Sequence, residues 1–241
     1  MYYLYLLIVI SFSNMLNRTP DDFEYSGRID RELVDEVRQL LPTISSFSLS
    51  LTGGDHSSSL ALARLLQNSG KPVYIRKYCI SACAEYILNS SANITVESDT
   101  IIALHGNPLV VEELYDIHKP VGYEVCDFTD AEEFSDFLTD NGRNRAISTI
   151  QTKVLSVENV DFAQKDDESC PMIRFSFAFD YWIPNSDQLE ILFGRSFGKD
   201  LCADKPECIE NYIGRAVREG KRVKIGTRAA NIVGGSVRFI E

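Results

Sequence analysis

Between Lys77 and Ile87 the chain reads K-Y-C-I-S-A-C-A-E-Y-I, an apolar run that becomes a helical pattern at a serine flanked by two cysteines. Ahead of it, P-V-Y-I (Pro72 to Ile75) has the β-branched and aromatic composition of a strand. After it, Ser81 to Asn89 carries apolar residues at helical spacing. Ser81 therefore stands where a strand gives way to a helix. Serine is a preferred helix N-cap, so the residue alone fits a cap, a nucleophile or a bystander between disulfide partners.

The neighbouring segments repeat the same rhythm. F-E-Y-S-G-R-I reads as a short strand and turn, and D-R-E-L-V-D-E-V-R-Q-L-L-P as an amphipathic helix stopped by Pro42. S-S-F-S-L-S-L-T-G-G alternates Phe47, Leu49 and Leu51 as a strand running into Gly53-Gly54. Ser57 to Asn68 is helical, with Gly70 as its C-cap and Pro72 enforcing the exit. T-I-I-A-L-H-G is a strand that ends on His105. Strand, helix, strand, helix, strand in this order predicts βαβ crossovers and an α/β fold with a mostly parallel sheet.

Beyond Asn107 the pattern is weaker. A-E-E-F-S-D-F-L and N-R-A-I-S-T-I-Q-T-K-V-L are the best helical segments, and M-I-R-F-S-F-A-F is strand-like. Y-W-I-P-N-S-D-Q-L-E-I-L-F-G reads as a strand end, a cap at Asn185 or Ser186, and a short helix closed by Gly194.

With 44% hydrophobic and 24% charged residues over 241 positions, the composition is that of a globular protein. A net charge of −11 excludes nonspecific affinity for nucleic acid. Against that acidity, Asn211 to Ile240 holds seven basic residues and one acid, a tail that pairs with the acidic body, stays solvated or binds a partner. The N-terminal apolar run from Tyr2 to Phe12 is 11 residues, short of the roughly 20 that a spanning helix needs. It has the length of a signal-peptide core, with Ser11 and Ser13 suiting a cleavage site, although no Lys or Arg precedes Arg18. An uncleaved anchor or a buried first strand are the other readings. The expectation is export, periplasmic or secreted, with any membrane attachment through this segment alone.

Six cysteines fit an oxidising compartment. Cys202 and Cys208 bracket a turn-like loop, Cys126 and Cys170 would make a longer staple, and Cys79 and Cys83 are separated by a helical turn that suits a disulfide only marginally. If bonded, the last pair locks the loop presenting Ser81; if free, either thiol competes as a nucleophile. No C-x-x-C pair occurs and His56, His105 and His118 lack ligand spacing, so neither metal nor other cofactor is expected.

Gly53-Gly54, Ser81 and His105 each fall at the carboxyl end of an expected parallel strand, where open α/β sheets place their sites. A serine nucleophile needs a base within hydrogen-bond reach and N–H groups aimed at the developing oxyanion. Glycines let an opposing backbone come close enough to supply one. Singly, these features read as a turn, a cap and a structural histidine; their conjunction points to chemistry.

On these motifs, Phe23 to Gly106 resembles the ClpP/crotonase-like fold, and within it the serine peptidases of the Clp proteolytic-subunit type. The matching elements are S-G-R-I, L-T-G-G, C-I-S-A-C and L-H-G, with serine and histidine 24 residues apart. The C-x-S-A-C motif and the Trp182-Ile183-Pro184 segment are similar to an exported bacterial branch of ClpP-like proteins. The resemblance implies Ser81 as nucleophile, His105 as general base, and the N–H groups of Gly54 and Ala82 as oxyanion hole, with Gly53 shaping the turn. It also implies hydrolysis of a peptide or protein substrate through an acyl-enzyme and assembly into a homo-oligomer. Two departures stand out. Thr52 replaces the proline usual before the glycines, and no acid matches the third triad position, for which Asp127, Asp130, Asp136, Asp140 and Asp161 are all candidates. The rival functions are a catalytically inactive ClpP-like binding or scaffold protein and a crotonase-type acyl-CoA enzyme. The expected organisation is a signal or anchor over 1–13, a ClpP/crotonase-like domain over 23–200, and a cysteine-bridged loop with a basic extension over 201–241.

Overall fold

The computed structural model describes residues 22–119, 128–143, 145–163, 172–198, 200–211, 221–226, 230–233 and 236–239. Its centre is a five-stranded, wholly parallel sheet of β1 (Phe23–Ile29), β2 (Phe47–Gly54), β3 (Val73–Ile80), β4 (Ile94–Val96) and β5 (Ile101–Ala103). Two helices connect its first strands. In α1 (Arg31–Leu40), the Asp30 carboxylate caps the N-terminus by accepting from the Leu33 N–H at 2.9 Å. In α2 (His56–Ser69), Asp55 accepts from the Ser58 N–H at 2.8 Å, and Gly70 closes the helix at φ +63°. These elements follow the expected order, and the mixed α/β, mostly parallel architecture is as the sequence predicts.

β3 runs five residues beyond Ile75, past the point where its apolar run stops at Arg76-Lys77. Leu49 of β2 faces Ile75, but Leu51 faces Cys79. Over that interval β3 gains two residues on its partner, and Lys77 takes up a left-handed φ of 55°. The bulge divides β3 in two: Val73–Ile75 pairs with β4, and Tyr78–Ile80 pairs with β5. It also returns Cys79 to the core and sets the direction in which the strand delivers Ser81.

The segment after Ser81 is not the α-helix that its spacing predicts. It is a π-helix over Cys83–Ile87, with the Leu88 N–H donating to the Cys83 carbonyl at 3.3 Å. Three further helices, α3 (Pro108–His118), α4 (Thr129–Asp140) and α5 (Ala146–Leu155), cover this end of the sheet. The last two coincide with the expected helical segments. The strand-like M-I-R-F-S-F forms β7 (Met172–Phe177), paired antiparallel with β6 (Val157–Ala163). β8 (Tyr181–Ile183) leads into α6 (Ser186–Phe193), which opens on an Asn185–Gln188 capping box and ends at Gly194 with φ +60°.

The main core gathers Phe47, Leu49, Leu51, Tyr86, Phe134, Phe137, Trp182 and Phe193. Strand alternation sends Ile102 and Leu104 into it, while Ile101 and Ala103 face a smaller cluster with Ile183, Cys202 and Ile209. Cys202 and Ile209 thus pack against β5, and β9 (Val223–Ile225) pairs parallel with β8. Disulfides join Cys202 to Cys208 and Cys79 to Cys83; Cys126 and Cys170 lie outside the described residues. Among the described residues, no helix is long and apolar enough to cross a membrane.

Candidate active site

β3 leads directly into Ser81, whose φ of +58° is left-handed and uncommon for a residue with a side chain. The turn is pinned on three sides. The Ser81 N–H donates to the Ala103 carbonyl of β5 at 2.8 Å, its carbonyl accepts from the Glu85 N–H at 3.0 Å, and the Cys79–Cys83 disulfide bridges across it. With both sulfurs bonded, neither cysteine is a thiol nucleophile. Ser81 is not a side-chain cap either: Ala82 holds the cap position without a side-chain hydrogen bond, and the Ser81 hydroxyl turns away to His105.

Ser81 Oγ lies 2.5 Å from His105 Nε2. His105 lies two residues past the end of β5 and is fixed through the backbone on either side. Leu104 exchanges two 2.8 Å hydrogen bonds with Trp182, and Tyr181 packs edge-on against the His105 ring at 5.5 Å between centroids. Beyond it, Gly106 takes a φ of +113°, a conformation glycine adopts without strain, and Asn107 starts α3 by accepting from the N–H groups of Leu109 and Val110. Although one edge of the ring is open, the surrounding protein strips water from it and holds its pKa below the ordinary 6.5. Its own backbone opposes this shift and the Lys221 charge adds to it.

Gly53 and Gly54 supply the opposing wall. Gly53 has φ +95°, and a Cβ on it would sit 2.7 Å from the Ser81 Cβ and 2.9 Å from Oγ. A Cβ on Gly54 would meet the Ile29 carbonyl oxygen at 1.9 Å. Both positions exclude any side chain. Gly54, Ser81, Ala82 and His105 line one pocket of about 880 Å³, whose far wall carries Val110, Phe128, Phe175, Phe177 and Phe179.

Among the described residues, no carboxylate hydrogen-bonds His105. Asp130 lies 3.8 Å from His56 Nε2 instead. Asp136 and Asp140 are exposed on α4, and Asp161 accepts from its neighbour's N–H in β6. Asp127 lies outside the described residues.

Two features of the pocket escaped the sequence. His56, immediately after the Gly-Gly-Asp turn, has both ring nitrogens engaged, Nδ1 by the Tyr86 hydroxyl at 2.6 Å and Nε2 by Glu133 at 3.1 Å. Burial, with the negative charges of Glu85, Asp130 and Glu133, pushes the Tyr86 phenol far above its ordinary range, so it remains a neutral hydroxyl. The second feature is Glu85, a fully buried acid one helical turn after Ser81. Its oxygens accept from Gln151 Nε2 at 2.8 Å and Asn107 Nδ2 at 3.3 Å. Position after a Gly-Gly turn was the only local signal for His56; the partners of both residues lie far along the chain. Among the described residues, no group of histidines, cysteines and acids is placed to hold a metal.

No protein-family model matches the sequence, and no curated protein matches it. Among solved structures the chain is similar to an Asn-to-Asp variant of ClpP1 from Listeria monocytogenes, at TM-score 0.38 and 14% identity over 55% of this chain and 77% of that one. It is similar to a Ser-to-Ala variant of the 1510-N membrane-bound stomatin-specific protease, at TM-score 0.35 and 17% identity over 55% and 67% of the two chains. A Lys-to-Ala variant of the same protease in complex with a substrate peptide gives TM-score 0.34 and 16% identity over 55% and 63%.

Proposed function

We propose that this chain is a ClpP-like serine hydrolase, a peptidase, with Ser81 as nucleophile and His105 as general base. The observation that carries the reading is the 2.5 Å contact between Ser81 Oγ and His105 Nε2, made by a serine held in a left-handed turn at the carboxyl edge of a parallel sheet. Neutral His105, with its proton on Nδ1, accepts the Ser81 hydroxyl proton as Oγ attacks the carbonyl carbon of a peptide or ester. The N–H groups of Gly54 and Ala82 receive the oxyanion. Collapse breaks the bond to the leaving group, which takes the proton from His105, and water then repeats the sequence on the acyl-enzyme. A pKa below 6.5 keeps His105 in the neutral, proton-accepting form at pH 7. The disulfides fit work in a periplasmic or secreted setting, and a homo-oligomer is part of the same proposal.

The test is covalent labelling with a fluorophosphonate probe. Labelling of the wild type that disappears in Ser81→Ala and His105→Ala supports the hydrolase. Folded wild-type protein that resists the probe overturns it and assigns the pocket to binding without catalysis, a reading that the lack of a carboxylate on His105 among the described residues favours.

A further inference from the structure

Three separate segments meet at the Glu85 carboxyl: the π-helix that follows Ser81, the loop that follows His105, and α5. Glu85 is 1% exposed and lines the pocket, yet among the described residues its carboxyl hydrogen-bonds two neutral amides and no cation. The titratable groups on the elements packed around it are Tyr86 on its own helix, His56 on α2, His105 ahead of α3, and Asp130 and Glu133 on α4; α5 presents Gln151. None of them pairs with Glu85. A buried acid without a cation is costly, so its place in the fold calls for a role.

Asn107 gives that role a direction. Its amide oxygen is committed to the first turn of α3 and its amide N–H to Glu85, so the side chain is tied at both ends. Between Asn107 and His105 there is only Gly106, in a left-handed conformation that leaves the link pliable. On the other side, His105 is anchored by the Leu104–Trp182 bridge. Releasing Asn107 would therefore release one of the two backbone anchors of the base.

We propose that Glu85 is the positioning residue for His105, acting through Asn107 in place of a carboxylate on the ring, and that the site is fully assembled when Glu85 is ionised. As an anion Glu85 accepts from both amides, and charge-assisted bonds are about twice as strong as neutral ones. Once protonated, one of its oxygens becomes a donor and needs an acceptor. Gln151 Oε1, buried and without a hydrogen-bond partner among the described residues, provides it if the amide turns over, and the hold on Asn107 weakens. Burial pushes the Glu85 carboxyl up to about 7, with the Gln151 and Asn107 hydrogen bonds opposing the shift, so the exchange falls within an ordinary working range.

The kinetic arm of the test rests on the hydrolase reading; a spectroscopic arm does not. In the wild type, the fluorophosphonate labelling rate is expected to rise with pH in two steps, one below 6.5 from His105 and one near 7 from Glu85. Glu85→Gln, which keeps the shape and an acceptor for Asn107, should lose the upper step and label about threefold to tenfold more slowly at pH 8. Gln151→Met, which removes the other donor, should move the upper step to higher pH and leave the lower one in place. An upper step that survives in Glu85→Gln, or a uniform drop with the profile unchanged, overturns the proposal. Should the wild type not label at all, the hydrolase reading fails, and the His105 imidazole and Asn107 side-chain amide resonances decide instead. Titration of both near pH 7 in the wild type, abolished in Glu85→Gln, supports the coupling; its absence overturns it.

Discussion

His105 and His56 line the same pocket, yet the chain holds them by different means. His56 is fixed through its ring, with Tyr86 on one nitrogen and Glu133 on the other. Among the described residues, the His105 ring hydrogen-bonds Ser81 alone and packs on Tyr181, and the residue is fixed through its backbone, at Leu104 on one side and Asn107 on the other. Among the described residues, the histidine bonded to a carboxylate has no serine on it, and the histidine bonded to a serine has no carboxylate. A proton acceptor needs one ring nitrogen available at the right moment, and His56 has none to offer. Orientation of a base can come from the main chain, provided that both flanks of the loop are anchored.

The largest expected effect separates the two directly. His105→Ala should reduce fluorophosphonate labelling by about 10⁶-fold, the order of magnitude that loss of the base costs a serine hydrolase. His56→Gln should reduce it by less than about tenfold, since the probe's phosphorus is attacked by Ser81 without help from that ring. Equal losses in the two variants would erase the distinction.

Each histidine also has an acid nearby, and the two acids differ in burial. The Glu133 side chain is 51% exposed, whereas Glu85 is fully buried. Because the folded pKa of Glu85 lies above its ordinary 4.5, the native state binds its proton more tightly than the unfolded chain does. The stability it contributes is present in full below pH 4.5 and is lost as pH rises toward 7. A shift of that size corresponds to about 3 kcal/mol as an upper figure. Chemical denaturation between pH 4.5 and 8 should therefore show stability falling in the wild type, and the fall should flatten in Glu85→Gln. A pH dependence that is the same in the wild type and in Glu85→Gln would refute the buried-acid account.

How far the sequence reveals this arrangement depends on the range of the forces involved. The order β1, α1, β2, α2, β3 is readable because alternation, caps and Gly or Pro stops are local; Asp30, Gly70, Asn185 and Gly194 act where their residue types imply. Ser81 and His105 are readable because both sit at strand ends. The bulge at Lys77 is hidden, since two charged residues there imitate the end of a strand. The π-helix is hidden as well, because residues 82–89 have good helical spacing, while the left-handed Ser81 and the Cys79–Cys83 bridge together fix their entry. β4, β6 and α3 lack strong periodic signals. His56–Glu133 and Glu85–Gln151 span 77 and 66 residues, and no local pattern joins such partners.

The glycine turn facing Ser81 gives a further way to sharpen the contrast. A methyl group at Gly53 would overlap the Ser81 side chain at 2.7 Å and would also have to accept a φ of +95°. Gly53→Ala should displace Ser81 from His105 and cost about 100-fold in labelling, the usual price of a misplacement near 1 Å. The His56–Tyr86–Glu133 contacts should persist, visible as an unchanged His56 ring signal in NMR spectra. If the His56 signal moves as much as that of His105, the two halves of the pocket are coupled rather than independently held.

The smallest effect belongs to Glu133. Its bond to His56 is partly exposed, and exposed pairs contribute little, so Glu133→Gln should cost no more than about 1 kcal/mol of stability. Glutamine can still accept the His56 N–H through its amide oxygen, so the ring should keep its tautomer and its hold on Tyr86. Labelling at Ser81 is expected to remain within about twofold of wild type, because among the described residues no hydrogen bond joins the His56–Tyr86–Glu133 group to Ser81 or His105. A larger loss would mean that α4 reaches the nucleophile through His56 and Tyr86. The division between a ring-held and a backbone-held histidine would then give way to one connected network.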